Sequence, residues 1–265
     1  MGKFDGWLIC SDFDGTMYVN RQVSPENCAA IAYFQREGGY FTYSSGRYPT
    51  MLDDLGLGVS ANAPMITMNG ALIVSVPDAD GVRHELYRGG IDRDDALGYA
   101  LTLYDRFDAV SRMVIYYGDK SFEYAKKNEP VDRAAVMASL PERLVKIMIY
   151  VSAEEAEEKF ALLQREAGDR YAITRSWLRG LEINAPCDTK GAAALRVKEM
   201  VGAKHLVCVG DYDNDLDMIR AADIGYAVGN AVDSLKAAAD RVTVPAAEHA
   251  LAAIIADIEK ECEGD

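Results

Sequence analysis

The stretch Leu8-Ile9-Cys10-Ser11-Asp12-Phe13-Asp14-Gly15-Thr16 limits what this chain can become more than any other. Residues Trp7 to Ser11, mostly apolar, read as a buried strand that ends abruptly in two acids and a glycine. Side chains alternate along a strand, so Asp12 and Asp14 are expected on one side and Phe13 in the core. Neighbouring carboxylates repel each other. The pair makes sense if a divalent cation lies between them, or if one acid keeps its proton while the other ionises. It suits phosphoryl transfer through an aspartyl-phosphate, with Asp12 attacking phosphorus and Asp14 protonating the departing oxygen. Gly15 lets the backbone turn sharply beside them. The competing reading is an Asx-rich turn with no chemistry.

A phosphate ligand would have to approach a chain of net charge −14, so positive charge must be supplied locally. The same charge argues against nucleic acid or an anionic membrane as partner. At 265 residues the chain is long enough for one large domain or two modest ones. No apolar run approaches the roughly 20 residues that span a bilayer, and the first residues lack a signal-peptide core. A cytoplasmic location is expected. The cysteines (Cys10, Cys28, Cys187, Cys208, Cys262) are odd in number and show no Cys-x-x-Cys spacing, so they read as reduced thiols. His84, His205 and His249 are scattered and suggest no metal site.

In chain order, Ser24-Pro25-Glu26 opens a helix, with Ser24 as cap and Pro25 first inside, and Gly38-Gly39 closes it. Tyr40 to Tyr43 predicts a strand ending at Ser44-Ser45-Gly46-Arg47, a possible phosphate cradle or a plain capped turn. Gly56 to Ala61 fits a dinucleotide pattern but follows a helical-looking stretch, Pro49 to Leu55, rather than a strand, and is set aside. Met65 to Met68 predicts a third strand before the Asn69-Gly70 turn. From Ile91 to about Asn184 the pattern changes to a separate α+β unit. It includes a helix from Asp92 to Asp105, a long strand from Leu144 to Val151 and a helix from Ser152 to Ala167 with a Ser152/Glu155 capping box. Arg88-Gly89-Gly90 and Ala185-Pro186 are thin links suited to a rocking lid. Lys190 then begins a helix, and Leu206 to Val209 repeats the opening layout, ending at Gly210-Asp211-Tyr212-Asp213-Asn214-Asp215.

Four stations thus stand in order: Asp12-Phe13-Asp14-Gly15-Thr16, Ser45-Gly46-Arg47, Lys190-Gly191, and Gly210-Asp211 through Asn214-Asp215. Together they resemble the haloacid dehalogenase superfamily of phosphohydrolases in its Cof-like branch, where a lid is inserted between the second and third motifs. The resemblance spans essentially the whole chain and extends to Asn69-Gly70-Ala71 and Gly229-Asn230-Ala231. It implies that Asp12 is the nucleophile and Asp14 the general acid/base. Mg²⁺ would be held by the carboxylates of Asp12 and Asp211 and by the main-chain oxygen of Asp14. Ser45, Gly46, Lys190 and Asn214 resemble phosphate-binding positions, Asp215 an outer acid orienting Lys190 or metal-bound water, and Arg47 a supporting residue. Ser45 stands where threonine is usual, and Pro245 to Ala250 lacks the acid-glycine-valine step of the family.

The charges argue for a metal independently. Like charges about 4 Å apart oppose each other by on the order of 4 kcal/mol at an effective dielectric near 20. Lys190 alone cannot offset Asp12, Asp14, Asp211 and Asp215 around a phosphate dianion; Mg²⁺ with Lys190 and one protonated acid can. Otherwise Lys190 would be a solvated helix residue. The expected fold is a doubly wound, Rossmann-like α/β core, residues 1–88 and 186–265, with an inserted α+β cap, residues 89–185. Within the cap, Glu182 and Lys146 are candidates to set specificity, unless they merely face outward. The expected activity is Mg²⁺-dependent hydrolysis of a small phosphate monoester, a sugar phosphate for example. A phosphomutase and a non-catalytic, metal-dependent phosphate-binding switch are its rivals.

Overall fold

The structure, a computed structural model, describes residues 2–53, 55–107, 110–125 and 132–262. The chain begins with β1 (Trp7–Asp12), α1 (Pro25–Arg36), β2 (Tyr40–Ser44), α2 (Thr50–Asp53), β3 (Met65–Thr67), β4 (Leu72–Val74) and β5 (Glu85–Arg88). Its middle holds β6 (Ile91–Asp92), α3 (Arg93–Arg106), β7 (Arg112–Tyr117), β8 (Lys120–Ala125), α4 (Arg133–Ser139) and β9 (Arg143–Leu144). There follow β10 (Lys146–Tyr150), α5 (Ala156–Ala167), β11 (Ala172–Trp177) and β12 (Gly180–Asn184). The last stretch is α6 (Lys190–Val201), β13 (His205–Gly210), α7 (Leu216–Ala221), β14 (Ile224–Ala227), α8 (Asp233–Ala238), β15 (Arg241–Val242) and α9 (Ala250–Cys262). Contacts divide the chain into two compact units, residues 1–87 with 190–265, and residues 88–189.

The first unit is a doubly wound α/β core built on an eight-stranded sheet of order β15-β14-β13-β1-β2-β3-β4-β5. Its centre is parallel: β1 lies between β13 and β2, with Cys10 opposite Cys208 on one side and Thr42 on the other. Leu8, Ile9, Leu206, Val207 and Val209 are all fully buried, as expected of parallel strands covered on both faces. That double covering is why the two runs read as continuous apolar stretches. Helix α1 starts where Ser24 accepts a hydrogen bond from the Asn27 amide, with Pro25 in its first turn. It buries Ile31 and Phe34 completely and packs against α9. Deleting the Phe34 ring would cost about 3–5 kcal/mol. No helix among the described residues is long and apolar enough to cross a membrane.

The second unit carries a five-stranded antiparallel sheet, β11-β12-β10-β7-β8, and a small β6-β9 ladder. Odd-numbered strand residues (Met113, Ile115, Ile147, Ile149, Leu181, Ile183) join Leu97, Leu103 and Leu163 of α3 and α5 in one apolar cluster. The period of two in the strands and the helical stripes meet there. Where this unit joins the rest of the chain, the buried Asp188 carboxylate accepts the Gly90 amide at 2.6 Å. A Cβ on Gly89 would lie 2.0–2.2 Å from that carboxylate, so glycine is required by space alone.

Three expectations about local structure are corrected. The strand predicted from Leu144 to Val151 is divided into β9 and β10 at Val145, whose amide bonds the carbonyl of Tyr116 in β7 at 2.7 Å, opposite the same residue that pairs with Lys146. The helix predicted from Ser152 starts at Ala156, since Ser152 bonds the Glu155 carboxylate instead of a backbone amide and no capping box forms. The helical stretch predicted from Pro49 to Leu55 shortens to Thr50–Asp53, and Asp54 lies outside the described residues.

Candidate active site

β1 and β13 run parallel side by side, so both acidic endings reach the same edge of the sheet. At that edge Asp12, Asp211 and Asp215 each offer an oxygen, all within 4.8 Å of one another. Asp12 is buried and Asp215 wholly so. Lys190, the first residue of α6, is brought between them: its Nζ donates to Asp12 Oδ1 at 2.5 Å and to Asp215 Oδ1 at 2.6 Å. Asp215 Oδ2 accepts the backbone amides of Asp211 and Tyr212. Both oxygens of Asp215 therefore serve to hold Lys190 and the Asp211 turn.

Asp12 differs. Its Oδ2 is buried and has no hydrogen-bond partner among the described residues, an arrangement that is costly without a ligand. Burial first, and then the charges of Asp215 and Asp211, raise the Asp12 pKa well above the carboxylate range, although Lys190 pulls the other way. Burial and the Asp215 charge likewise raise Asp211 to about 7. Burial works against a charged Lys190, but Asp12 and Asp215 outweigh it and its pKa is raised. Too much negative charge in one place, with one buried oxygen left over, fits a hard divalent cation held by carboxylates. Gly15 makes the close approach possible: it adopts φ +87°, and a Cβ there would stand 2.4 Å from Asp211 Oδ2.

Asp14 is placed otherwise. It is exposed while Asp12 is buried, so the two acids do not share one environment as expected: β1 ends at Asp12, and alternation does not continue past the fully buried Phe13. Both Asp14 oxygens are taken by the Arg47 guanidinium, at 2.6 and 2.8 Å. Arg47 lies over the rings of Phe13 and Tyr18, with its central carbon 5.6 and 5.9 Å from their centroids. Ser45, Gly46 and Arg47 form the loop after β2, pinned to the Met68–Gly70 turn: the Asn69 amide donates to the Ser45 carbonyl and the Met68 amide to the Arg47 carbonyl. Met68 and Asn69 both take positive φ, 53° and 55°, to make these bonds. The Ser45 hydroxyl accepts the Arg47 amide at 3.1 Å. Asn214 donates to Asn69 Oδ1 at 3.2 Å, joining the second station to the fourth.

Glu182 and Lys146, candidates for specificity, lie in the other unit and neither faces outward. They form an ion pair at 2.9 Å, each about 1% exposed, and Ser176 donates to the second Glu182 oxygen. Sequence reasoning gave no role to Asn69, whose bond to Asn214 it could not foresee. It likewise named Asn230 without a role; Asn230 donates to the Gly15 carbonyl and accepts the Ala246 amide, bracing the turn beside the acids. A signal existed for both, since each belongs to an Asn-containing turn already noted after a strand.

The model of the haloacid dehalogenase-like hydrolases matches residues 9–255. The chain belongs to this family. Among relatives of this haloacid dehalogenase-like hydrolase, the Bacillus subtilis 5-amino-6-(5-phospho-D-ribitylamino)uracil phosphatase YcsE is 24% identical, covering 89% of each chain. A haloacid dehalogenase-like hydrolase structure from B. subtilis superposes with a TM-score of 0.75 at 22% identity, covering 94% of this chain and 98% of the other. The subclass IIB sugar phosphatase BT4131 superposes with a TM-score of 0.73 at 19% identity, covering 95% and 98%. Both carry the same fold. Family and relatives together make the chain an enzyme of the phosphatase type.

Proposed function

We propose that this enzyme hydrolyses small phosphate monoesters, sugar phosphates among them, by transferring the phosphoryl group to Asp12 and then to water. The single observation that carries the reading is the Asp12 carboxylate, with Oδ1 fixed by Lys190 and Oδ2 buried without a partner. Asp12 and Asp211, with the Asp14 carbonyl, would hold Mg²⁺, which would supply positive charge for a phosphate dianion.

The chain's own residues do the rest. Lys190 neutralises Asp12 and is oriented by Asp215, so the attacking carboxylate is fixed before substrate arrives. Ser45, Gly46 and Asn214, tied together through Asn69, would bind the phosphoryl oxygens. An arriving phosphate competes with Asp14 for Arg47; the released Asp14 carboxylate takes up a proton from solvent and as a carboxyl gives it to the leaving alcohol. Asp14 then takes a proton from the water that cleaves the aspartyl-phosphate. The inserted unit is assigned the choice of leaving group. The names of YcsE and BT4131, one acting on a phosphoribityl compound and one on sugar phosphates, support that substrate class.

The test is a phosphate-release screen over phosphomonoesters, with and without Mg²⁺, beside an Asp12→Asn variant. Release that needs Mg²⁺ and disappears in the variant is expected. Release that persists in Asp12→Asn would overturn the assignment.

A further inference from the structure

The stretch Gly56-Leu57-Gly58-Val59-Ser60-Ala61, which fits a dinucleotide pattern without the strand such a pattern needs, walls a cavity of about 290 Å³ in the first unit. Gly56 and Gly58 take φ +58° and +70°, which bends the chain around the opening. The loop is held from outside. Gln35 of α1 donates to the Ser60 carbonyl at 2.8 Å, and the Cys28 thiol lies 3.6 Å from the Leu57 carbonyl. Next along the chain, Asn62 accepts the Phe41 amide and donates to the Gly39 carbonyl. These bonds fix the loop to α1 and to the start of β2, so the cavity is formed before any ligand arrives.

Leu52, Leu57, Met65 and Pro77 give the cavity an apolar wall. Arg83 and Asp53 are the charged residues among the described lining residues, and they are paired with each other. That pair leaves the Arg83 Nε–H over: it is buried and has no hydrogen-bond partner among the described residues. The Tyr43 hydroxyl is a second donor. Tyr43 lines the cavity, is 4% exposed, and bonds no described residue through its hydroxyl. Burial raises its pKa although the Arg83 charge lowers it, so the proton stays on the oxygen at neutral pH. A buried donor without an acceptor costs stability. Two of them beside one apolar wall call for an acceptor carried on an apolar body. A charged ligand would have to compete with the Asp53–Arg83 pair, whereas an uncharged one leaves it whole.

We propose that this cavity binds a small uncharged molecule whose carbonyl oxygen accepts from Arg83 Nε and from the Tyr43 hydroxyl, with its apolar part against Leu52 and Met65. No residue of the Asp12 centre is among the described lining residues, so the site stands whether or not the proposed hydrolysis is correct. Met65 is buried in the wall, and its methyl group reports occupancy.

The experiment uses the full chain, labelled at the methionine methyl groups and titrated with benzamide or with benzoate, the Met65 signal being assigned with Met65→Leu. Benzamide carries an uncharged carbonyl on an apolar ring; benzoate keeps the shape and adds a charge. The Met65 signal is expected to shift and saturate with benzamide by about 10 mM, and to need roughly tenfold more benzoate. Tyr43→Phe keeps the ring that packs on Phe13 and loses only the hydroxyl. Arg83→Lys keeps a cation for Asp53 and loses the Nε donor. Each should weaken benzamide about tenfold, with the methionine signals outside the cavity unmoved, which shows that the fold is intact. A shift that never saturates with benzamide, benzoate binding as tightly as benzamide or tighter, or a benzamide affinity unchanged in either variant overturns the proposal.

Discussion

Lys190 is held by two buried carboxylates, and this makes it at once a structural and a chemical residue. Lys190→Met leaves Asp12 and Asp215 facing each other without compensation. Breaking a buried ion pair from one side costs about 3–5 kcal/mol. Urea unfolding should therefore show a lower midpoint for the variant, and phosphate release should vanish together with it. Asp211 leads to the opposite expectation. Its pKa of about 7 is raised above the unfolded value, so its contribution to stability is full below the unfolded pKa. That contribution fades as pH rises through about 7. Metal-free protein should accordingly lose melting temperature between pH 5 and pH 8, whereas Asp211→Asn should lose less and melt higher than the wild type at pH 8. Saturating Mg²⁺ should raise the wild-type melting temperature by mass action and leave Asp211→Asn nearly unmoved. A variant that melts lower than metal-free wild type at pH 8 would contradict the crowding argument.

At the scale of elements, the last helix is tied to the sheet by a polar knot. Asp257 of α9 accepts from Tyr226 of β14 at 2.7 Å and from Arg241 of β15 at 2.9 Å. The Tyr226 hydroxyl, followed by Arg241, lowers the Asp257 pKa. Its stabilising effect is thus present above the unfolded carboxylate pKa near 4 and is lost as pH falls through the lower folded value. Asp257→Asn should melt below wild type at pH 7, and the two curves should converge toward pH 3. Thermal melts across that range decide it. The same scale explains what could be foreseen from residues alone. The strands β1 and β13 announced themselves because a strand covered on both faces needs unbroken apolar residues. The Lys146–Glu182 pair did not, because alternation says which face a strand residue occupies but not what lies across from it. The Arg47 clasp on Asp14 was equally hidden: it joins residues 33 positions apart, and only the loop after β2 brings them together. The capping box at Ser152 failed for a local reason, since the two side chains satisfied each other before the backbone could use them.

For the molecule as a whole, two short crossings join the units, and one buried carboxylate inside the second unit ties the ends of those crossings to each other. Asp188→Ala would leave the Gly90 amide buried without its acceptor, a loss of about 1–3 kcal/mol. Confined to the crossings, that loss should leave both units folded. Limited proteolysis should then cut the variant faster near residues 88–90 and 185–189, with far-ultraviolet circular dichroism unchanged. Cleavage that instead begins inside either sheet would show that the carboxylate supports a unit and not the junction.

The partnership of Lys190 with Asp12 spans 178 positions along the chain. A ribosome must therefore release the entire insertion before the central strand β1 meets β13, the neighbour on its other side. Until then the nascent amino-terminal segment carries an unneutralised aspartate and an open strand edge. Chain closure of such length is slow, and an edge left bare invites mispairing. Fragments ending before residue 190 should be aggregation-prone and inert, and the gene's first third cannot be recovered as a miniature enzyme.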